Sequence, residues 1–90
     1  MNITAIINSF NLSADQFQKL TNQHLHILWF IYQVGSITPM EAFSELGITK
    51  LATRISEMKA LGIQFSQNYE GRENRFGKKV RYMRYGRAAA

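Results

Sequence analysis

Apolar residues recur at helical spacing from the start of the chain. Ile3, Ile6, Ile7 and Phe10 fall at i, i+3, i+4 and i+7, one face of a helix. Asn11 and Leu12 interrupt that pattern. Ser13, with Gln16 three residues on, has the spacing of a capping box and opens a second short helix carrying Phe17 and Leu20. Thr21 is the expected N-cap of a main helix over 22–34, with Leu20 and Leu25 spaced as a hydrophobic staple. Along it, Leu25, Leu28, Trp29 and Tyr32 make one stripe, and Ile27, Phe30, Ile31 and Val34 cover much of the rest. So wide an apolar surface exceeds what one small core needs. The surplus meets either the N-terminal extension, residues 1–20, or a second subunit.

The middle of the chain punctuates itself. After Gly35, Ser36 and Ile37 suit a very short strand. Thr38 followed by Pro39 reads as an N-cap and a first-turn proline, whose missing N–H is not needed there. Gly47 closes that helix, 39–46, and Thr49 is placed to cap the next, 50–61, which Gly62 ends. Helices joined this tightly cross steeply, the helix-turn-helix geometry. Beyond Gly62 the pattern changes period: Ile63, Phe65 and Tyr69 alternate with polar residues over 63–70, a half-buried strand. A polar turn at 71–77 and a basic, β-prone segment at 78–85 complete a hairpin, leaving 86–90 as a frayed tail. Phe76 either packs back on the hairpin or stands exposed at its tip.

Ninety residues suit one domain with a modest core, burying roughly 60–65% of the unfolded surface. Without cysteine there are no disulfides or thiolate metal sites, which suits a cytoplasmic protein. No apolar run is long enough to span a bilayer, so no membrane partner is expected, and no basic segment precedes an apolar run as in a secretory signal. The net charge of +5 is unevenly placed. Residues 1–40 carry only Asp15 and Lys19, whereas 71–90 carry seven cations against Glu73. A basic end on a neutral body is the footprint of a phosphate-binding surface.

On a helical wheel of 50–61, Leu51, Ile55 and Met58 form the core side. Thr49, Lys50, Thr53 and Glu57 point away, with Arg54 at the flank. Such side chains can read base edges in the major groove. Arg72, Arg75, Lys78, Lys79 and Arg81 on the hairpin are suited to the DNA backbone or the minor groove. The order of elements is a mainly α fold with a small β-hairpin (α+β): a winged helix-turn-helix over 21–85 with a helical N-terminal extension.

The segments GSITPMEAF at 35–43, LGITKLATRISEMKALG at 46–62 and NRFGKKVRYMRY at 74–85 resemble the small helix-turn-helix domain proteins of phages, prophages and other mobile elements. Ala42 falls where that pattern has a small residue, Leu51 and Ile55 where it has core residues, and Arg54 where it has a basic one. The resemblance covers about residues 20–85. It implies duplex-DNA binding and a mobile-element origin, hence a transcriptional regulator in a bacterial cytoplasm, associated with the nucleoid. The expected partner is double-stranded DNA, with a homodimer through residues 1–34 or a host protein as further partners.

Two other readings are a recombination or replication accessory factor that bends DNA, and a phage-encoded inhibitor or adaptor using the apolar N-terminal helices. RNA binding through Tyr69, Phe76, Tyr82 and Tyr85 lacks an evident stacking platform. No enzyme is expected, nor any cofactor or metal. His24 and His26 project to different sides of their helix and suit structural roles, and Glu41 with Glu45 is an ordinary solvated pair.

Overall fold

A computed structural model of the chain describes residues 1–88. Five helices and three strands follow in order: α1 (Ile3–Phe10), α2 (Ala14–Gln18), α3 (Asn22–Val34), β1 (Ser36–Ile37), α4 (Pro39–Leu46), α5 (Leu51–Ala60), β2 (Phe65–Glu73) and β3 (Lys79–Arg87). The strands form one antiparallel sheet in the order β1-β3-β2. A helix-turn-helix backed by this sheet is the winged helix-turn-helix fold, preceded here by two extra helices.

Capping side chains set most of the helix starts. Asn2, Ser13, Thr21 and Thr38 each accept a backbone N–H in the first turn of α1 to α4. Three of these are reciprocal boxes, closed by Gln16, His24 and Glu41. Between α4 and α5, Gly47 adopts φ +69°, a left-handed conformation that a side chain would strain. The chain turns there and drops Ile48 into the core at 2% exposure.

One core joins these elements except α2, which buries no residue. Ile6, Ile27, Leu28, Ile37, Ala42 and Met58 are fully buried, and Leu51, Ile55, Ile63 and Tyr85 nearly so. The surplus apolar surface of α3 meets the extension: Ile6 and Leu12 belong to the same cluster, with Ile7 and Phe10 packed against it. Phe10 tilts against Phe65 with ring centroids 6.1 Å apart. Gln16 donates from Nε2 to the Leu61 carbonyl at 3.0 Å, and Arg87 donates to Ser9 Oγ at 2.9 Å. The extension thus holds the end of α5 and the end of β3.

Three boundaries differ from those read in the sequence. The N-cap of α5 is Lys50, without a side-chain bond, instead of Thr49. Ile48 and Leu51 are both pulled into the core, and their burial sets the turn in place of a capping bond. The hairpin strands run further, from Phe65↔Arg87 out to Glu73↔Lys79, so the turn shrinks to 74–78. Residues 86 and 87, placed in the tail, are strand: Gly86 pairs with both Ser36 and Ser66. A Cβ at Gly86 would lie 2.8 Å from Ser66 Oγ and 3.3 Å from the Gly35 carbonyl, so glycine lets three segments converge. Ala88 lies beyond the strand, and the rest of the expected tail, 89–90, falls outside the described residues.

Candidate nucleic-acid interface

Helix α5 buries Leu51, Ile55 and Met58 and turns Thr53, Ser56 and Glu57 outward, with Thr49 and Lys50 exposed just before it. Thr49, Lys50 and Thr53 are exposed, and among the described residues no side-chain hydrogen bond or ion pair holds them. Of the five helices among the described residues, α5 alone lacks a side-chain cap, and its first turn carries no acid. Its leading amides therefore keep their partial positive charge toward solvent.

Arg54 and Glu57 are placed differently. Arg54 Nη1 donates to both Glu57 oxygens, at 3.0 and 3.1 Å. Glu57 Oε1 also accepts from His24 Nε2 at 2.8 Å. His24 is buried, and its Nδ1 accepts the Thr21 N–H that closes the α3 capping box. A nitrogen that accepts there carries no proton, so Nε2 bears the ring proton and donates it to Glu57. The His24 hydrogen bond, seconded by Arg54, holds the Glu57 carboxyl below the usual carboxylate range. Arg54 Nε is buried without a hydrogen-bond partner, so this side chain is packed along the body with its head turned back to Glu57. Two of the five candidate base readers are thus already engaged in tying α5 to α3.

The wing supplies the unengaged charge. Arg72, Arg75, Lys78, Lys79 and Arg81 are all exposed, and among the described residues none lies within 4 Å of a carboxylate. Arg81 stacks its guanidinium 4.5 Å above the Tyr69 ring on the same face of the hairpin, a cation–π contact that leaves its edge free. At the tip, Asn74 Oδ1 accepts the Phe76 and Lys78 amides at 2.9 and 3.1 Å. Gly77 takes φ +74° to close the turn. Phe76 stands out from this turn, 85% exposed, the second of its two expected placements.

Arg84 has a different role from the other basic residues of the segment. It grips Glu70 bidentately, Nε at 2.6 Å and Nη2 at 3.1 Å, and reaches Ser36 Oγ at 2.9 Å. Its Nη1 also lies 3.4 Å from Glu41, whose Oε1 closes the α4 capping box by accepting the Thr38 N–H. This one side chain joins β2, β1 and α4 at the root of the wing and holds the Glu70 carboxyl below its ordinary range. Because β1 leads directly into α4 while pairing with β3, the wing runs alongside α4. The cleft between them is lined by Thr38–Glu41 and Phe43 on one side and by Arg72, Val80 and Arg81 on the other. Thr49 is the candidate base reader that reaches this cleft, and no α5 residue lines it.

His24 has the structural role expected of it, whereas Glu41, expected as half of an ordinary solvated pair with Glu45, instead closes the α4 capping box and faces Arg84, a joint that no local signal in the sequence marks. The Thr38–Glu41 spacing of a capping box was the available signal for Glu41. Among the described residues no group of three potential ligands could hold a metal, and no helix is long and apolar enough to cross a membrane. A family model described as a winged helix-turn-helix domain matches residues 22–87, and the two extra helices lie outside it. No curated protein and no solved structure matches the chain.

Proposed function

We propose that this chain, which belongs to the winged helix-turn-helix domain family, binds duplex DNA as a sequence-specific regulator of a phage or other mobile element. The observation that carries the reading is a pair of unengaged features. An exposed, unengaged polar set (Thr49, Lys50 and Thr53) leads α5, and five unpaired cations line a projecting hairpin. In this reading α5 enters the major groove, where threonine contacts a thymine methyl and lysine a guanine. The wing projects about 20 Å beyond β1 at ordinary strand rise. Arg72, Arg75, Lys78, Lys79 and Arg81 then bind phosphates or enter the minor groove. Arg54 and Glu57 are already bonded to each other, so they are less free to read bases than Thr49, Lys50 and Thr53. No catalytic step is part of the proposal, and its cellular place is the bacterial nucleoid.

An adaptor using the apolar N-terminal helices has less to stand on, because those residues fill the chain's own core. Across residues 1–34 only Met1, Tyr32 and Val34 are exposed large hydrophobics. A homodimer through this segment, needed for symmetric half-sites, would rest on them.

Fluorescence anisotropy at physiological salt, with duplex DNA, single strands and structured RNA in competition, tests the reading. Duplex preference is expected, and indifference among the three overturns it. Lys78→Ala with Lys79→Ala should weaken binding to every duplex and lower the log–log salt slope by about 1 per residue. Thr53→Ala should instead cost about 1–3 kcal/mol at one base position.

A further inference from the structure

We propose that Phe76 is an apolar wedge that enters the minor groove between two base pairs and kinks the duplex, an inference that rests on the DNA-binding reading above. At 85% exposure, Phe76 is the most exposed large hydrophobic residue among those described. A phenyl ring left in water keeps its apolar surface available for a partner, and nothing in the core covers this one. The turn beneath it is cross-tied. Asn74 Oδ1 accepts the Phe76 amide at 2.9 Å and the Lys78 amide at 3.1 Å, while the Asn74 N–H donates to the Lys78 carbonyl at 2.8 Å. The Gly77 N–H donates to the Asn74 carbonyl at 3.0 Å. The backbone that presents the ring is therefore fixed before any partner arrives, and inserting it orders little new structure.

The surroundings decide what the ring is for. An anchor for a protein groove sits within a patch depleted of charge. Phe76 instead stands alone between Arg75 and the Lys78–Lys79 pair, none of them bonded to a carboxylate. A lone aromatic ring flanked by cations matches a stacked polyanion: phosphates on both sides for the cations, and a base step for the ring. Wedges of this kind partly unstack one step and bend the duplex toward the major groove. Pyrimidine–purine steps unstack most easily, so the wing would favour a TA or CA step at a fixed distance from the bases under α5.

The probe is random-sequence duplex DNA held between a surface and a bead, stretched at low force with the full chain at low salt. Bare duplex has a persistence length of about 50 nm. Wild-type protein at saturation should lower the apparent value clearly below this, because each inserted wedge adds a kink to the path of the duplex. F76A, compared at matched occupancy, should bind the same DNA and leave the value near that of bare duplex, and F76W should restore the drop. Since Phe76 makes no core contact, circular dichroism should show both variants folded. If F76A softens the duplex as the wild type does, the wedge is wrong. Wild-type protein that binds without softening also overturns the wedge and leaves the proposed function standing. Failure of the wild type to bind any duplex overturns both.

Discussion

The helical body and the wing are held together by different physics. Among the described residues, apart from Tyr85 and Gly86 at the root of the sheet, every buried residue lies between Ile6 and Ile63, and none between Gln64 and Arg84 is buried. The body is stabilised by packing. The wing is stabilised by its strand ladder, its tied turn and the Arg84 grip on Glu70 and Ser36. The densest unpaired charge lies on the wing, since Arg72 to Arg81 have no acidic partner among the described residues, while the body's Arg54 is bonded to Glu57. The two regions should therefore answer differently to mutation: changes to the body's buried core act on stability, and changes to the wing's unpaired cations act on binding.

The largest expected effect is at the join of the extension and the body. Ile6→Ala removes a fully buried side chain and should cost about 2–5 kcal/mol in urea unfolding. A loss well below this would mean that α1 is an appendage, and that the shared core is not what stabilises the fold. Next comes the convergence of β1, β2 and β3. Gly86→Val drives a branched side chain against Ser66 Oγ and the Gly35 carbonyl, and should cost about 1–3 kcal/mol. If that variant unfolds like the wild type, residues 86 and 87 are a tail after all.

How much of this was legible in the sequence follows the same divide. α1, α3, β1 and α4 were readable because caps, proline and helical periodicity are local signals, and each agrees with the packing. The wing strands were under-read because apolar alternation stops where the core stops. Beyond Tyr69 the ladder continues through Gly71, Arg72 and Glu73 by backbone pairing alone, which leaves no pattern of side chains. Gly86 looked like a terminus because its function, close approach, is set by residues 20 and 50 positions away. A helical wheel shows where a side chain points and not what it meets. Thr53 points out and is unengaged, whereas the wheel could not see His24, 33 residues away, taking up Glu57 and through it Arg54.

Arg84 tests the divide from within the basic segment. By composition it is one more cation beside Arg81; by geometry it is a joint between sheet and α4. Arg84→Ala should cost about 1 kcal/mol, discounted for its partial exposure, because it leaves Glu70 without its partner. Lys78→Ala and Lys79→Ala should stay within about 0.5 kcal/mol of wild type, since neither side chain touches the body. Equal effects from all three in thermal unfolding would mean that the wing root is not organised by Arg84.

The smallest effect separates the two carboxylates that serve the two regions. Glu57 and Glu70 both titrate below the ordinary glutamate value of 4.5, the first through His24 and the second through Arg84. A carboxyl whose folded pKa is depressed binds fewer protons folded than unfolded near that value. Its contribution to stability is therefore complete above pH 4.5 and is lost as the pH falls through the folded pKa. Urea midpoints should decline below pH 4.5, and Glu57→Gln and Glu70→Gln should each flatten part of that decline. Both carboxylates are more than a third exposed, so salt should shrink both contributions. The variants should differ in what else changes. Glu57→Gln loosens α5 from α3 and frees Arg54, so amide exchange should quicken in α5 and Arg54 should become available to DNA. Glu70→Gln should leave α5 exchange unchanged and quicken it in the wing. Identical exchange patterns in the two variants would show that body and wing open as one cooperative unit, and the division between them would have to be given up.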